Sequence, residues 1–203
     1  MKNTGQINRG SVLGEKICKL SKQEGVDYIL EIGTWNGLGS TKCIIDGIKE
    51  SDSVKKGMSI DCNLKRCEEA LGNLVPIPKG FVIKQGTIVD SVELEPLLKQ
   101  LTCPKFIKWL QEDLKNIRTS ANVFDELPMV IDLCIIDGGE FSGALEFAKL
   151  WKRCRYIILD DTNTFKHSQS RKYILQHPDV FNIIIDERKE RNGFLICKNK
   201  KYV

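Results

Sequence analysis

Residues 28–43 read Y-I-L-E-I-G-T-W-N-G-L-G-S-T-K-C, and no other stretch limits the possible folds as much. Tyr28, Ile29, Leu30 and Ile32 form an apolar run around one acid, Glu31. The chain then passes through Gly33, Thr34, Gly37 and Gly39 before Ser40 and Thr41 open a segment with helical spacing. Glycine tolerates positive φ and lets backbone approach a ligand, and a helix N-terminus offers unpaired N–H groups. A buried strand feeding such a loop places a ligand at the carboxyl edge of a parallel sheet. The spacing is G-x-x-x-G-x-G, unlike the G-x-G-x-x-G of dinucleotide sites. Glu31, Gly33, Thr34, Gly37, Gly39 and Ser40 are therefore candidate cofactor-binding residues.

The rest of the chain continues the alternation. Helical spacing is expected over 11–23, 40–49, 64–74, 91–101, 141–151 and 168–176, and strands over 26–32, 57–61, 81–84, 131–137, 156–160, 180–185 and 194–197. The last two strands flank a turn through Arg191-Asn192-Gly193. This order predicts an α/β, Rossmann-like doubly wound fold. Its seven-stranded sheet is mostly parallel, with an antiparallel C-terminal edge hairpin and helices on both faces. A chain of 203 residues suits a single domain spanning 1–203. Residues 102–128, between Pro104 and Pro128, exceed a normal connection and carry an amphipathic helix (Phe106, Ile107, Leu110, Leu114, Ile117). Two readings of this insertion stand: a lid or substrate wall, or decoration on the sheet edge.

Composition closes off several classes. With 41% hydrophobic and 29% charged residues the chain is globular, and its net charge of +4 is too small to argue for a polyanionic partner. Basic residues near the C-terminus, Arg188, Lys189, Arg191, Lys198, Lys200 and Lys201, are interleaved with Asp186, Glu187 and Glu190 and read as a solvated rim. No nucleic-acid partner is expected. No apolar run approaches the ~18 residues of a membrane span, and the first ten residues lack the apolar core of a secretion signal. Eight cysteines without a Cys-x-x-Cys pair fit reduced thiols and a cytoplasmic location.

The strand ends are unusually acidic: Glu31, Asp61, Asp137 and the pair Asp160-Asp161. One strand-end aspartate is ordinarily a loop or helix cap, and Asp160-Asp161 before Thr162 and Asn163 has that reading too. Convergence of several at one sheet edge points to a site. Gly86 and Thr87 follow the third strand at the same edge, with Asp90 competing for a similar role.

The Gly33–Gly39 loop resembles motif I of the class I S-adenosylmethionine-dependent methyltransferases. The segment L-C-I-I-D-G-G-E-F-S-G-A-L-E-F-A-K-L-W (133–151), with Y-I-I-L-D-D-T (156–162), is similar to the I-D-G-x-H…D-D signature of small metal-dependent O-methyltransferases. That group includes catechol methyltransferase-like enzymes and bacterial enzymes acting on sugar hydroxyls. The resemblance covers residues 28–162. It implies an enzyme using S-adenosylmethionine, with Asp61 on the ribose hydroxyls, Gly86-Thr87 beside the adenine and Asp137 at the cofactor. It further implies Mg²⁺ or another divalent cation on Asp137, Asp160 and Asp161, and a sugar, glycan or small-metabolite hydroxyl as acceptor. A Mg²⁺-bound hydroxyl is more acidic, and a base then removes its proton.

Departures from the signature concern the base. Glu140 stands where that family has histidine, and Gly139 where a third acid is common. Glu140, Asp137 and His167 are the catalytic candidates, although a loop histidine is more often simply solvent-exposed. The turn before the fifth strand is Lys152-Arg153-Cys154-Arg155, not Gly-Gly. Base N-methylation is disfavoured, because Asp-Gly-Gly-Glu replaces the Asn/Asp-Pro-Pro-aromatic motif. Aminopropyl transfer uses the same kind of pocket, and glycine spacing argues against a nicotinamide enzyme. The alternative outside catalysis is an inactive cofactor-binding protein or complex subunit. A second copy is a further partner to consider, since the C-terminal hairpin offers an edge for pairing.

Overall fold

The computed structural model describes residues 7–202. Residues 1–6, part of the stretch read for a secretion signal, and residue 203 lie outside them. Seven strands form one sheet: β1 (Tyr28–Ile32), β2 (Lys56–Asp61), β3 (Phe81–Gln85), β4 (Ile131–Ile136), β5 (Cys154–Asp160), β6 (Phe181–Glu187) and β7 (Phe194–Asn199). Their order is β3-β2-β1-β4-β5-β7-β6. The first five strands are mutually parallel, and β7 lies antiparallel between β5 and β6. The chain order reverses between β1 and β4, so a crevice opens at their carboxyl ends.

Alternation along the strands builds two apolar layers. Ile29, Leu133, Ile135, Ile158 and Ile196 face α1 (Val12–Lys22), α2 (Ser40–Lys49) and α3 (Leu64–Asn73). Leu30, Ile32, Cys134, Ile136, Ile157 and Leu159 face the other way. Those side chains meet α5 (Pro104–Arg118), α6 (Gly143–Leu150) and α7 (Ser168–Gln176), with a one-turn α4 (Ser91–Leu94) nearby. Each fully buried Leu or Ile contributes about 1.5–3 kcal/mol. Central strands covered on both faces have little need of polar residues, which explains the near-continuous apolar runs of β1, β4 and β5. Local signals set the helix starts: Ser11 Oγ accepts from Gly14 N at 3.1 Å, and Asn63 Oδ1 from Arg66 N at 3.4 Å.

Two expectations change. The helix expected over 91–101 is one α-turn followed by a 3-10 segment, Glu95–Lys99, because Pro96 has no N–H to continue the α pattern. In residues 102–128 the expected amphipathic helix is present as α5, but its apolar stripe is only partly buried, with Phe106 exposed. Leu110, Leu114 and Ile117 of α5 are buried in the second apolar layer, and the helix lines the crevice through Glu112, Asp113, Asn116 and Ile117 itself. No helix among the described residues is long and apolar enough to cross a membrane.

Candidate functional site

The crevice holds two adjoining cavities of about 450 Å³ each, which share Gly33, Trp35 and Asp137. The turn after β1 divides them. Gly33 has φ +99°, and a Cβ there would lie 2.2 Å from the carbonyl oxygen of Asp137. Glycine thus lets the ends of β1 and β4 touch, with Asp137 N donating to Ile32 O at 2.9 Å. Glu31 lies beneath this turn, fully buried, where Thr41 Oγ1 donates to its Oε2 at 2.7 Å and Ser59 Oγ donates to the same oxygen. Burial pushes the Glu31 carboxyl up to about 7. It organises the loop and lines neither cavity. Thr34 is also buried, its hydroxyl 2.6 Å from that of Ser59. Gly37 packs its α-carbon against Ala70 of α3 and Leu74 just beyond it, away from both cavities. Gly39 and Ser40 line the second cavity with Thr34.

Asp61, Gly86 and Thr87 line the first cavity. Both Asp61 oxygens are fixed by backbone donors, Trp35 N to Oδ2 and Asn63 N to Oδ1, each at 2.9 Å. Asp90 takes no part, because it caps α4 and accepts from Asn122 Nδ2 at 2.9 Å. The far wall comes from α5 through Glu112, Asp113 and Asn116. At the floor, Gly138 and Gly139 leave room for two carboxylates. A Cβ on Gly138 would sit 2.9 Å from Glu146 Oε2, and one on Gly139 2.9 Å from Asp113 Oδ2. Burial raises Glu146 to about 7 and Asp113 to about 6, and Glu146 Oε2 has no hydrogen-bond partner.

The second cavity is lined by Asp137, Asp160, Asp161, Arg191 and Asn192. Carboxylate oxygens of Asp137, Asp160 and Asp161 lie within 4.8 Å of one another, a donor set of the kind that holds a divalent ion. Two cations of the chain already neutralise it. Lys166 Nζ donates to Asp137 Oδ1 at 2.9 Å and to Asp161 Oδ2 at 2.8 Å, and the Arg191 guanidinium pairs with Asp160. Asn192 Nδ2 adds a bond to Asp161 Oδ1 at 3.0 Å. Burial among neighbouring acids lifts Asp160 to about 7, whereas Lys166 helps to hold Asp161 below its ordinary value. A dication does not fit beside this ammonium without displacing it. Trp35, Asp161 and Arg191 have φ between 46° and 55°, and they are the three non-glycine residues with positive φ among those described. All three line the second cavity, so the costly backbone conformations are gathered there.

Three side chains depart from the sequence reading. His167 faces neither substrate nor solvent. It is fully buried, with Nε2 3.1 Å from Ile136 O, and burial beside Lys166 pushes its pKa down to about 3. Glu140 is turned to the backbone, accepting from Lys166 N at 3.3 Å. Arg191 belongs to the cleft and not to a solvated rim. The sequence reading missed Lys166, Glu146 and Asp113. The first sits five residues beyond Asp161, and the other two carry one-face helical spacing that resembles any solvated acid.

Neither a protein-family model nor a curated protein matches this sequence. Solved structures do. The O-methyltransferase from Bacillus cereus in complex with SAH superposes with a TM-score of 0.64 at 17% identity, covering 98% of this chain and 85% of the other. The chain has the methyltransferase fold. TomG from Streptomyces achromogenes, an O-methyltransferase involved in tomaymycin synthesis and bound to SAM, gives 0.57 at 14% identity (92% and 79% covered). The precorrin-6y C5,15-methyltransferase from Geobacter metallireducens gives 0.53 at 12% (92% and 86%). This methyltransferase fold therefore accommodates acceptors of different chemistry, and the acceptor has to be argued from the site.

Proposed function

We propose that the protein is an S-adenosylmethionine-dependent O-methyltransferase acting on a hydroxyl of a sugar, glycan or small metabolite. The observation that carries this reading is Asp61. Its two oxygens are pinned by backbone amides at the carboxyl end of β2, inside a cavity that adjoins an acid-lined one. A carboxylate so fixed accepts two vicinal hydroxyls well. Glu146 Oε2, buried and unpartnered, calls for a ligand N–H or O–H donor at the same cavity.

When bound, the cofactor supplies an electrophilic methyl group on a sulfonium. Asp61, Gly86, Thr87 and Glu146 would hold its nucleoside part, and Gly33, Thr34, Gly39 and Ser40 its amino-acid part. Asp137, shared by both cavities, would take the proton of an acceptor hydroxyl bound there. Asp161 and Asn192 orient neighbouring hydroxyls. Phe106, Trp109 and Phe165 are exposed, and Phe141 links their rings with centroids 5.7–6.3 Å apart along the chain of contacts. Such a ladder suits the apolar face of a sugar or a planar metabolite. All eight cysteines are free, in keeping with a reducing, cytoplasmic setting.

Thermal unfolding with S-adenosylhomocysteine tests the cofactor assignment. A ligand at one hundred times Kd adds about 2.7 kcal/mol. For a chain of this size that is a rise of roughly 5–10 °C. Asp61→Ala should abolish most of it, and no rise in the wild type would refute the reading. The internal pairing of Glu140, Asp137 and Asp161 favours one second reading, a cofactor-binding protein without turnover. Cofactor binding with no methyl transfer across an acceptor screen would support it.

A further inference from the structure

Lys166 is placed by every part of its residue. Its backbone N–H is directed at Glu140 Oε1 (3.3 Å) and Thr164 Oγ1 (3.2 Å). Its stem crosses Gly143, where a Cβ would lie 2.7 Å from Lys166 Cγ. Its ammonium ends between Asp137 and Asp161, and the side chain is only 7% exposed. Gly143 opens α6, so the first residue of that helix is small where the lysine must pass. Arg191 completes the neutralisation from the opposite side through Asp160. Three carboxylates thus face two fixed cations. A divalent ion entering the cluster would have to displace an ammonium whose side chain is almost fully buried and held by two carboxylates.

We infer that Lys166 is the resident cation of this centre, its ammonium standing between Asp137 and Asp161 in place of a divalent metal ion. The inference rests on the methyl-transfer reading only for what the centre does; the exclusion of metal stands on geometry alone. Lys166 sets the positions of the two carboxylates and supplies positive charge beside the acceptor oxygen, as a positioning residue. Lysine suits this task as a compact point charge with three donors, two of which the carboxylates use.

The decisive experiment is a Mn²⁺ titration followed by electron paramagnetic resonance on the purified chain. Wild type should bind no Mn²⁺ at millimolar concentration. Lys166→Ala and Lys166→Met, by freeing Asp137 and Asp161 beside Asp160, should gain a site at least about tenfold tighter. Asp161→Asn in the Lys166→Ala background should remove the gain. Stoichiometric Mn²⁺ binding by wild type that Asp161→Asn abolishes would overturn the inference. So would a folded Lys166→Ala protein with no gained site. Should both Lys166 variants fail to fold, the wild-type titration decides. S-adenosylhomocysteine binding is measured in parallel, and its failure would count against the proposed activity without touching the metal result.

Discussion

Replacing Gly33 by alanine perturbs the contact on which the whole crevice turns. Two costs add at this residue. The backbone sits at φ +99°, outside the regions open to alanine, and this costs about 1–2 kcal/mol. The new Cβ would also lie 2.2 Å from Asp137 O and 2.5 Å from Asp137 C. Backbone cannot rotate away as a side chain can, so the end of β4 must retreat by about 1 Å, an overpacking cost of about 1–3 kcal/mol. Together these give about 2–5 kcal/mol, or a fall in Tm of roughly 4–20 °C for a chain of this size. Urea and thermal unfolding followed by circular dichroism measure it, with S-adenosylhomocysteine affinity read on the same samples. Affinity should fall as well, because the retreating segment carries Asp137. Gly72→Ala is the matched control, since its Cβ would meet nothing within 4 Å and should be neutral or stabilising by about 0.5–1 kcal/mol. A Gly33→Ala protein within about 0.5 kcal/mol of wild type, binding ligand normally, would refute the reasoning.

Further outcomes concern pH and packing. Glu31 is raised to about 7 when folded, so its contribution is fully present below about pH 4.5 and is lost as pH rises to about 7. Glu31→Gln should flatten the stability profile in that window by about 3 kcal/mol, as judged by urea midpoints across pH. Glu146 and Asp160 titrate in the same window, so part of the slope will remain. His167, lowered to about 3, works oppositely: its contribution is present above about pH 6.5 and is lost as pH falls toward 3. His167→Gln should therefore shift acid unfolding to lower pH, and an unchanged acid limb would argue against a neutral buried imidazole. Gly143→Ala would drive a methyl group into Lys166 Cγ and the His167 ring, at 2.7 and 2.8 Å. We expect a loss of about 1–3 kcal/mol in urea unfolding, and no loss would mean the lysine stem takes another path.

Much of the architecture was legible because period-two and helical patterns report burial directly. Ile29, Leu30 and Ile32 announced a strand covered on both faces, and the acids at 61, 137, 160 and 161 announced the edge where the strands end. Pairing between remote segments was not legible. Nothing near Asp161 says that Lys166 folds back onto it, because a lysine at that spacing is ordinarily solvated. Arg191 was hidden among interleaved charges, and only the β6–β7 turn brings it to Asp160. His167 misled for the converse reason. Loop position implies exposure, yet the loop runs beneath Gly143 and buries the ring.

The antiparallel edge has a consequence for how the protein is made. Among the described residues, β6 pairs only with β7, which follows it in the chain and inserts between it and β5. During translation β6 therefore emerges with no strand to accept it, carrying Ile183, Ile184 and Ile185 in succession. The turn that seats Arg191 and Asn192 against the acids forms in the same late event. The Gly33–Gly39 loop, sheet centre and α5 can all be in place on the ribosome while the wall of the second cavity is still unmade. Nascent chains stalled before β7 should thus expose a sticky strand and an acidic cluster in which Asp160 still lacks Arg191, which makes this interval the one in which a chaperone has most to protect.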